Sequence, residues 1–357
     1  MAATARRGVF TTFDGLRGAA ALLVVTHHAG PFFGPLSFPE SFLAVDLFFL
    51  LSGFVIAYAY GKRIEGGGFF ASFVKIRLIR LYPLYLAGLA VAVALRFYML
   101  DKQDDPWTMK MIVETVGLAL LMLPGPSGDP TSGYSLNSPT WTLLPELLFN
   151  FIYALFIRWL TTPVLIAVIA VCGAGLIPAV LIRQTLDIGY PAHAEWATPF
   201  RMGFSFFLGV LMFRLLGDKR RDAPLIALGC VAALAAALMF HPPESLKIAY
   251  ELGLVMIGFP LLILVAAKVD APGWAGGLLH WLGLISYGVY TLHVPLSNLI
   301  YEVLKRKHII DVWYSAPLSG FVLLVVLSVV VWLVDTVYDQ PVRKALTRLF
   351  VPKPQKA

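Results

Sequence analysis

The chain has 357 residues, of which 59% are hydrophobic and only 14% charged, and its mean hydropathy is +0.78. A soluble domain carries about 25% charged residues, so this composition excludes a soluble enzyme, a disordered chain and a disulfide scaffold. The net charge of +7 fits basic loops beside a membrane rather than nucleic-acid binding, because Lys and Arg collect in cytoplasmic loops of membrane proteins.

Ten apolar segments are long enough to span a bilayer: 14–33, 41–60, 81–99, 141–160, 163–182, 198–216, 223–241, 247–267, 280–301 and 316–336. A spanning helix uses about 20 residues. We therefore expect an all-α fold, a polytopic membrane helix bundle of about ten transmembrane helices. An eleventh segment, 108–123, is short, carries Lys110 and Glu114, and runs into Pro124. It is expected to be a re-entrant or interfacial piece within 108–140. With that piece not crossing, both termini are cytoplasmic and most of the 28 Lys and Arg lie on the inner side. If it crossed, the Gly217–Asp222 loop and the basic tail would face outward, against the positive-inside rule. Residues 1–345 read as one membrane domain and 346–357 as a short basic cytoplasmic tail. The N-terminus shows no cleavable signal pattern. Cys172 and Cys230 sit in apolar runs and read as core thiols.

Charged groups inside apolar spans cost roughly 2.5–3.5 kcal/mol at a helix centre, so they are the first places to look for chemistry. The first span contains Phe13-Asp14-Gly15-Leu16-Arg17 and then Thr26-His27-His28. Arg17 and His28 are eleven residues apart, about 16 Å and three turns, so they share one face and suit a polar shaft, with Asp14 beside Arg17. The second span buries Asp46, which pairing with His28 or an arginine would satisfy; Ser52-Gly53 follows. Arg77 and Arg80 lie one turn apart, and guanidinium forks at that spacing suit phosphate groups. Pro83 is expected to start the next span. The run Ser138-Pro139-Thr140-Trp141-Thr142-Leu143-Leu144-Pro145-Glu146 places Trp141 as an interfacial anchor and Glu146 one turn into a span. The late run Ser286-Tyr287-Gly288-Val289-Tyr290-Thr291-Leu292-His293 puts Tyr290 and His293 on one face with Ser286. Lesser candidates are Arg201, isolated in its span, and Asp339-Gln340-Pro341-Val342-Arg343.

These motifs, in this order from about Phe13 to Arg343, resemble the acyltransferase 3 family of integral membrane O-acyltransferases. The resemblance implies a cytoplasmic acyl-CoA donor, acetyl by default, and an acceptor hydroxyl on a sugar, cell-envelope glycan or similar molecule. It implies a multi-pass protein of the inner (plasma) membrane. No metal and no permanently bound cofactor are expected; acyl-CoA acts as donor substrate. Carried over by position, His28 is the leading catalytic residue; the chemistry of the residues themselves offers Asp46 or Glu146 as its orienting partner. Arg17, Arg77 and Arg80 meet the donor, and Asp14, Ser52, Trp141, Tyr290 and His293 line the pore or the acceptor side. Where the family often has Trp-Ser-Leu-Ser-Val-Glu, this chain has Pro145 before Glu146. The rival reading is a secondary transporter or flippase for a sugar or lipid-linked substrate, with the buried charges as relays.

Overall fold

The computed structural model describes residues 10–36, 38–100, 107–126, 133–188, 195–309 and 317–351. Its helices are α1 (Thr11–His28), α2 (Ala44–Glu65), α3 (Phe70–Met99), α4 (Met109–Ala119), α5 (Leu143–Phe156), α6 (Thr162–Arg183), α7 (Thr198–Leu216), α8 (Pro224–Met239), α9 (Glu244–Ala266), α10 (Gly273–Arg306) and α11 (Pro317–Phe350). Each of the ten apolar segments carries one of them. Among the described residues six helices, α2, α3, α6, α7, α9 and α11, are long and apolar enough to cross a membrane. The others depart for physical reasons. α1 and α10 spend spanning positions on Asp14, Arg17, His28, His280 and His293. α5 and α8 have only 14 and 16 residues.

α1 lies along α10 and α2 along α7. The second contact depends on paired glycines. A Cβ at Gly53 would stand 2.0 Å from the Phe206 carbonyl oxygen, and one at Gly209 would stand 2.0 Å from that of Leu50. Small residues let membrane helices pack backbone to backbone, and this crossing sets which face of α2 meets α7.

The start of α1 is fixed from far away in sequence. Asp270 accepts from the Thr11 backbone N–H at 2.9 Å and from its hydroxyl at 3.0 Å, satisfying a donor that the helix itself cannot. Asp270 belongs to a two-residue parallel strand pair, Arg221–Asp222 with Val269–Asp270. α1 ends at His28 rather than near residue 33, because Gly30 and Pro31 open a separate short turn.

The 108–123 segment forms α4, whose 11 residues rise about 16 Å, too short to cross a hydrocarbon core of about 30 Å. It is bound to α3 by the Tyr82 and Tyr85 hydroxyls, which donate to the Leu120 and Ala119 carbonyls. Pro83 does not begin a span; it lies inside the 30-residue α3. Membrane helices tolerate interior proline when neighbours satisfy the freed backbone. The case is visible at Pro295 in α10. Proline leaves the Thr291 carbonyl without its helical donor, and the Asn137 amide donates to that oxygen at 2.7 Å. α11 continues through a π-helical turn, Asp335–Asp339, to Phe350, so the first five residues of the expected tail are helical.

Candidate active site

A shaft of about 270 Å³ runs between α2, α3, α5 and α10, with Arg17 of α1 on its wall. On α2 its lining extends from Tyr60 to Val45, fifteen residues or about 22 Å of helix rise. The other helices agree on its direction. Arg77 and Arg80 lie at one end with Glu146, Ser286 and Tyr60, while Thr142, Tyr290, Phe48 and Val45 lie at the other. The first end is polar and basic: three arginines and a single carboxylate line the shaft.

Each arginine has its own support. Arg77 is 6% exposed and donates from Nη2 to Glu146 Oε1 at 2.7 Å. Its buried Nε makes no hydrogen bond among the described residues. Arg80 is exposed, with no hydrogen bond or ion pair among the described residues. Arg17 is held on three sides, by Asp14 Oδ1 at 2.8 Å, Ser286 Oγ at 3.0 Å and the Gly283 carbonyl at 3.3 Å. Asp14 in turn contacts His280 Nδ1 at 2.9 Å. Arg17 reaches α10 because Gly18 and Gly283 admit the other helix; a Cβ on either would come within 2.5 Å of its neighbour.

Beyond the apolar end stands a pair of imidazoles. His293 is fully buried, and its Nδ1 lies 2.8 Å from the Val289 carbonyl and 3.0 Å from that of Tyr290. Carbonyls only accept, so Nδ1 carries the proton and Nε2 of the neutral ring is an acceptor. That Nε2 is 3.3 Å from His28 Nδ1, which also lies 3.2 Å from the Val24 carbonyl. His28 Nδ1 therefore carries its proton as well, and His28 Nε2 is left as a free lone pair. His28 itself is exposed, at the last residue of α1. His27 turns elsewhere, toward Phe42, with ring centroids 6.3 Å apart. Tyr290 separates the shaft from this pair, with its ring 6.3 Å from that of His293.

Neither expected carboxylate orients His28. Asp46 is bound by Arg201, at 2.7 Å from Nη2 with further bonds from Nε, and both side chains are 1% exposed. Glu146 is bound by Arg77. The group that fixes His28 is His293. Ser52 and Tyr290 line the shaft, whereas Asp14, Trp141 and His293 stand outside its lining. Trp141 lies in the turn Ser138–Thr142 and packs against the core around Met202 and Phe206. In the exit motif, Arg343 pairs with Asp335 and Asp339 across the π-turn. Sequence reading missed His280, Thr142 and Phe48, and it offered Asp46 an arginine partner without naming Arg201. Only Arg201 carried a signal, a lone cation in a span that needs an anion.

The Asp46–Arg201 pair is a testable support. Arg201→Met is expected to destabilise the protein by about 3–5 kcal/mol, because it strands a buried carboxylate; adding Asp46→Leu should restore most of the loss. Thermal unfolding in detergent checks this. A double variant no more stable than Arg201→Met would contradict it.

The acyltransferase domain family, Acyl_transf_3, matches residues 10–334. The acyltransferase MdmB of Streptomyces mycarofaciens is 26% identical over 94% of this chain and 92% of its own length. Protein 2 in the picA locus of Rhizobium radiobacter is 43% identical over 42% of this chain and 82% of its own. The peptidoglycan O-acetyltransferase OatA of Listeria monocytogenes is 24% identical over 82% of this chain, which spans 50% of that protein. No solved structure matches.

Proposed function

Because this chain belongs to the acyltransferase 3 family and is a membrane acyltransferase, we propose that it moves an acetyl group from cytoplasmic acetyl-CoA to a hydroxyl of a cell-envelope sugar. In this reading ten helices cross the inner membrane, both termini are cytoplasmic, and the basic end of the shaft opens to the cytoplasm. Arg77, Arg80 and Arg17 bind the phosphates of CoA through charge-assisted hydrogen bonds. The pantetheine arm follows the shaft, and the thioester comes to its apolar end beside Tyr290. The acceptor approaches His28 from the outer side.

The acceptor oxygen attacks the thioester carbon. His28 Nε2 takes the hydroxyl proton, the C–S bond breaks, and the proton passes to the leaving thiolate, giving ester and free CoA. A base positioned in this way contributes typically 10²–10⁴-fold. The observation that carries the reading is the order of the groups: a basic shaft mouth, an apolar end, and, on the other side of Tyr290, an imidazole with a free Nε2. The family membership supports acyl transfer over the transporter reading.

Mass spectrometry of envelope glycans and lipids from cells with and without the protein tests it. A +42 Da ester adduct removed by mild base is expected only with the protein. Identical glycan and lipid profiles would overturn the proposal.

A further inference from the structure

We propose that the ring of Phe48, laid against Tyr290 at the apolar end of the shaft, sets the length of acyl group the enzyme accepts. The inference rests on the acyl-CoA reading above. Three elements of the shaft wall meet at this end: α2 with Phe48 and Val45, α10 with Tyr290, and the turn before α5 with Thr142. The Phe48 and Tyr290 rings meet edge to face, with centroids 5.6 Å apart and planes at 81°. A thioester drawn in from the basic mouth therefore meets this pair with its acyl carbons first.

The two rings are not equivalent. Tyr290 is tied by its hydroxyl, which donates to the Pro139 carbonyl at 2.7 Å and lies 2.7 Å from Thr142 Oγ1. It is a fixed wall. Phe48 has no polar anchor. It is only partly buried and touches three separate core clusters, including those of Leu47, Leu292 and Leu81. Trimming Phe48 opens space among Val45, Phe49 and Leu143, all of them apolar shaft residues. Such space accepts methylene groups, and each one buried favours binding by about fourfold.

The test measures release of CoA thiol from acetyl-, propionyl-, butyryl- and hexanoyl-CoA, using membranes that carry the native acceptor. The wild-type rate should fall steeply toward hexanoyl. Phe48→Ala should raise the hexanoyl-to-acetyl ratio of kcat/KM at least tenfold. Phe48→Leu, which keeps most of the packing, should raise it less and serves if the alanine variant fails to fold. Phe48→Trp should lose butyryl and propionyl first. Ratios within twofold of wild type in both smaller variants, with acetyl transfer still measurable, would overturn this inference alone. A wild-type protein that turns over none of the four esters would overturn the acyl-CoA reading with it.

Discussion

Replacing His28 with alanine should lower acyl transfer by about 10²–10⁴-fold while leaving insertion and CoA binding intact. The reason is local: of the two imidazoles, only His28 keeps an unprotonated nitrogen to which no described protein group donates. His293 spends its Nδ1 on two α10 carbonyls and presents Nε2 to His28. His27→Ala should be mild, because that ring faces Phe42. His293→Phe should act through His28, lowering kcat with little change in the KM for acyl-CoA, because it removes the acceptor that holds the His28 tautomer. Rates and KM values for the three variants check this. A His28→Ala loss below tenfold would mark that residue as structural.

Arg77→Ala should weaken CoA binding by about 10–150-fold, the equivalent of losing one charged hydrogen bond worth 1.5–3 kcal/mol. Two effects add. The buried guanidinium is lost, and Glu146, no longer paired across 2.7 Å, presents a bare carboxylate to an anionic ligand. Adding Glu146→Gln should therefore recover part of the affinity. Arg77→Lys should not restore it fully, since an ammonium cannot bind Glu146 and a phosphate with one planar fork. Calorimetric titration of detergent-solubilised protein with CoA reads all three. Wild-type affinity in Arg77→Ala would place the donor elsewhere.

Hydropathy alone located the ten apolar segments, because a hydrocarbon core demands long apolar helices. The same signal misjudged ends that depend on tertiary partners. α1 begins where Asp270, some 260 residues away, caps Thr11, and no local pattern announces that. Pro83 looked like a start because proline breaks helices in water, yet within the bundle it sits inside α3. Eleven-residue spacing put Arg17 and His28 on one face of α1, and the helix keeps that register. It could not supply the rotation of α2. The sequence leaves the partner of Asp46 open between His28 and an arginine, and the Gly53–Gly209 crossing turns it toward Arg201. Tyr290 and His293 were legible as one helical face. Their division of labour, one at the shaft and one at His28, depends on where α1 and α5 pack.

In the proposed reaction, donor and acceptor meet from opposite sides of the membrane. This is tested most directly in sealed vesicles holding the purified protein, with the envelope glycan fraction trapped inside and acetyl-labelled acetyl-CoA supplied only outside. Mixed orientation does no harm, because CoA does not cross the bilayer and only molecules with the basic mouth outward see the donor. Label is expected on the trapped glycan and is lost in His28→Ala. Label found only on glycan added outside with the donor would contradict it.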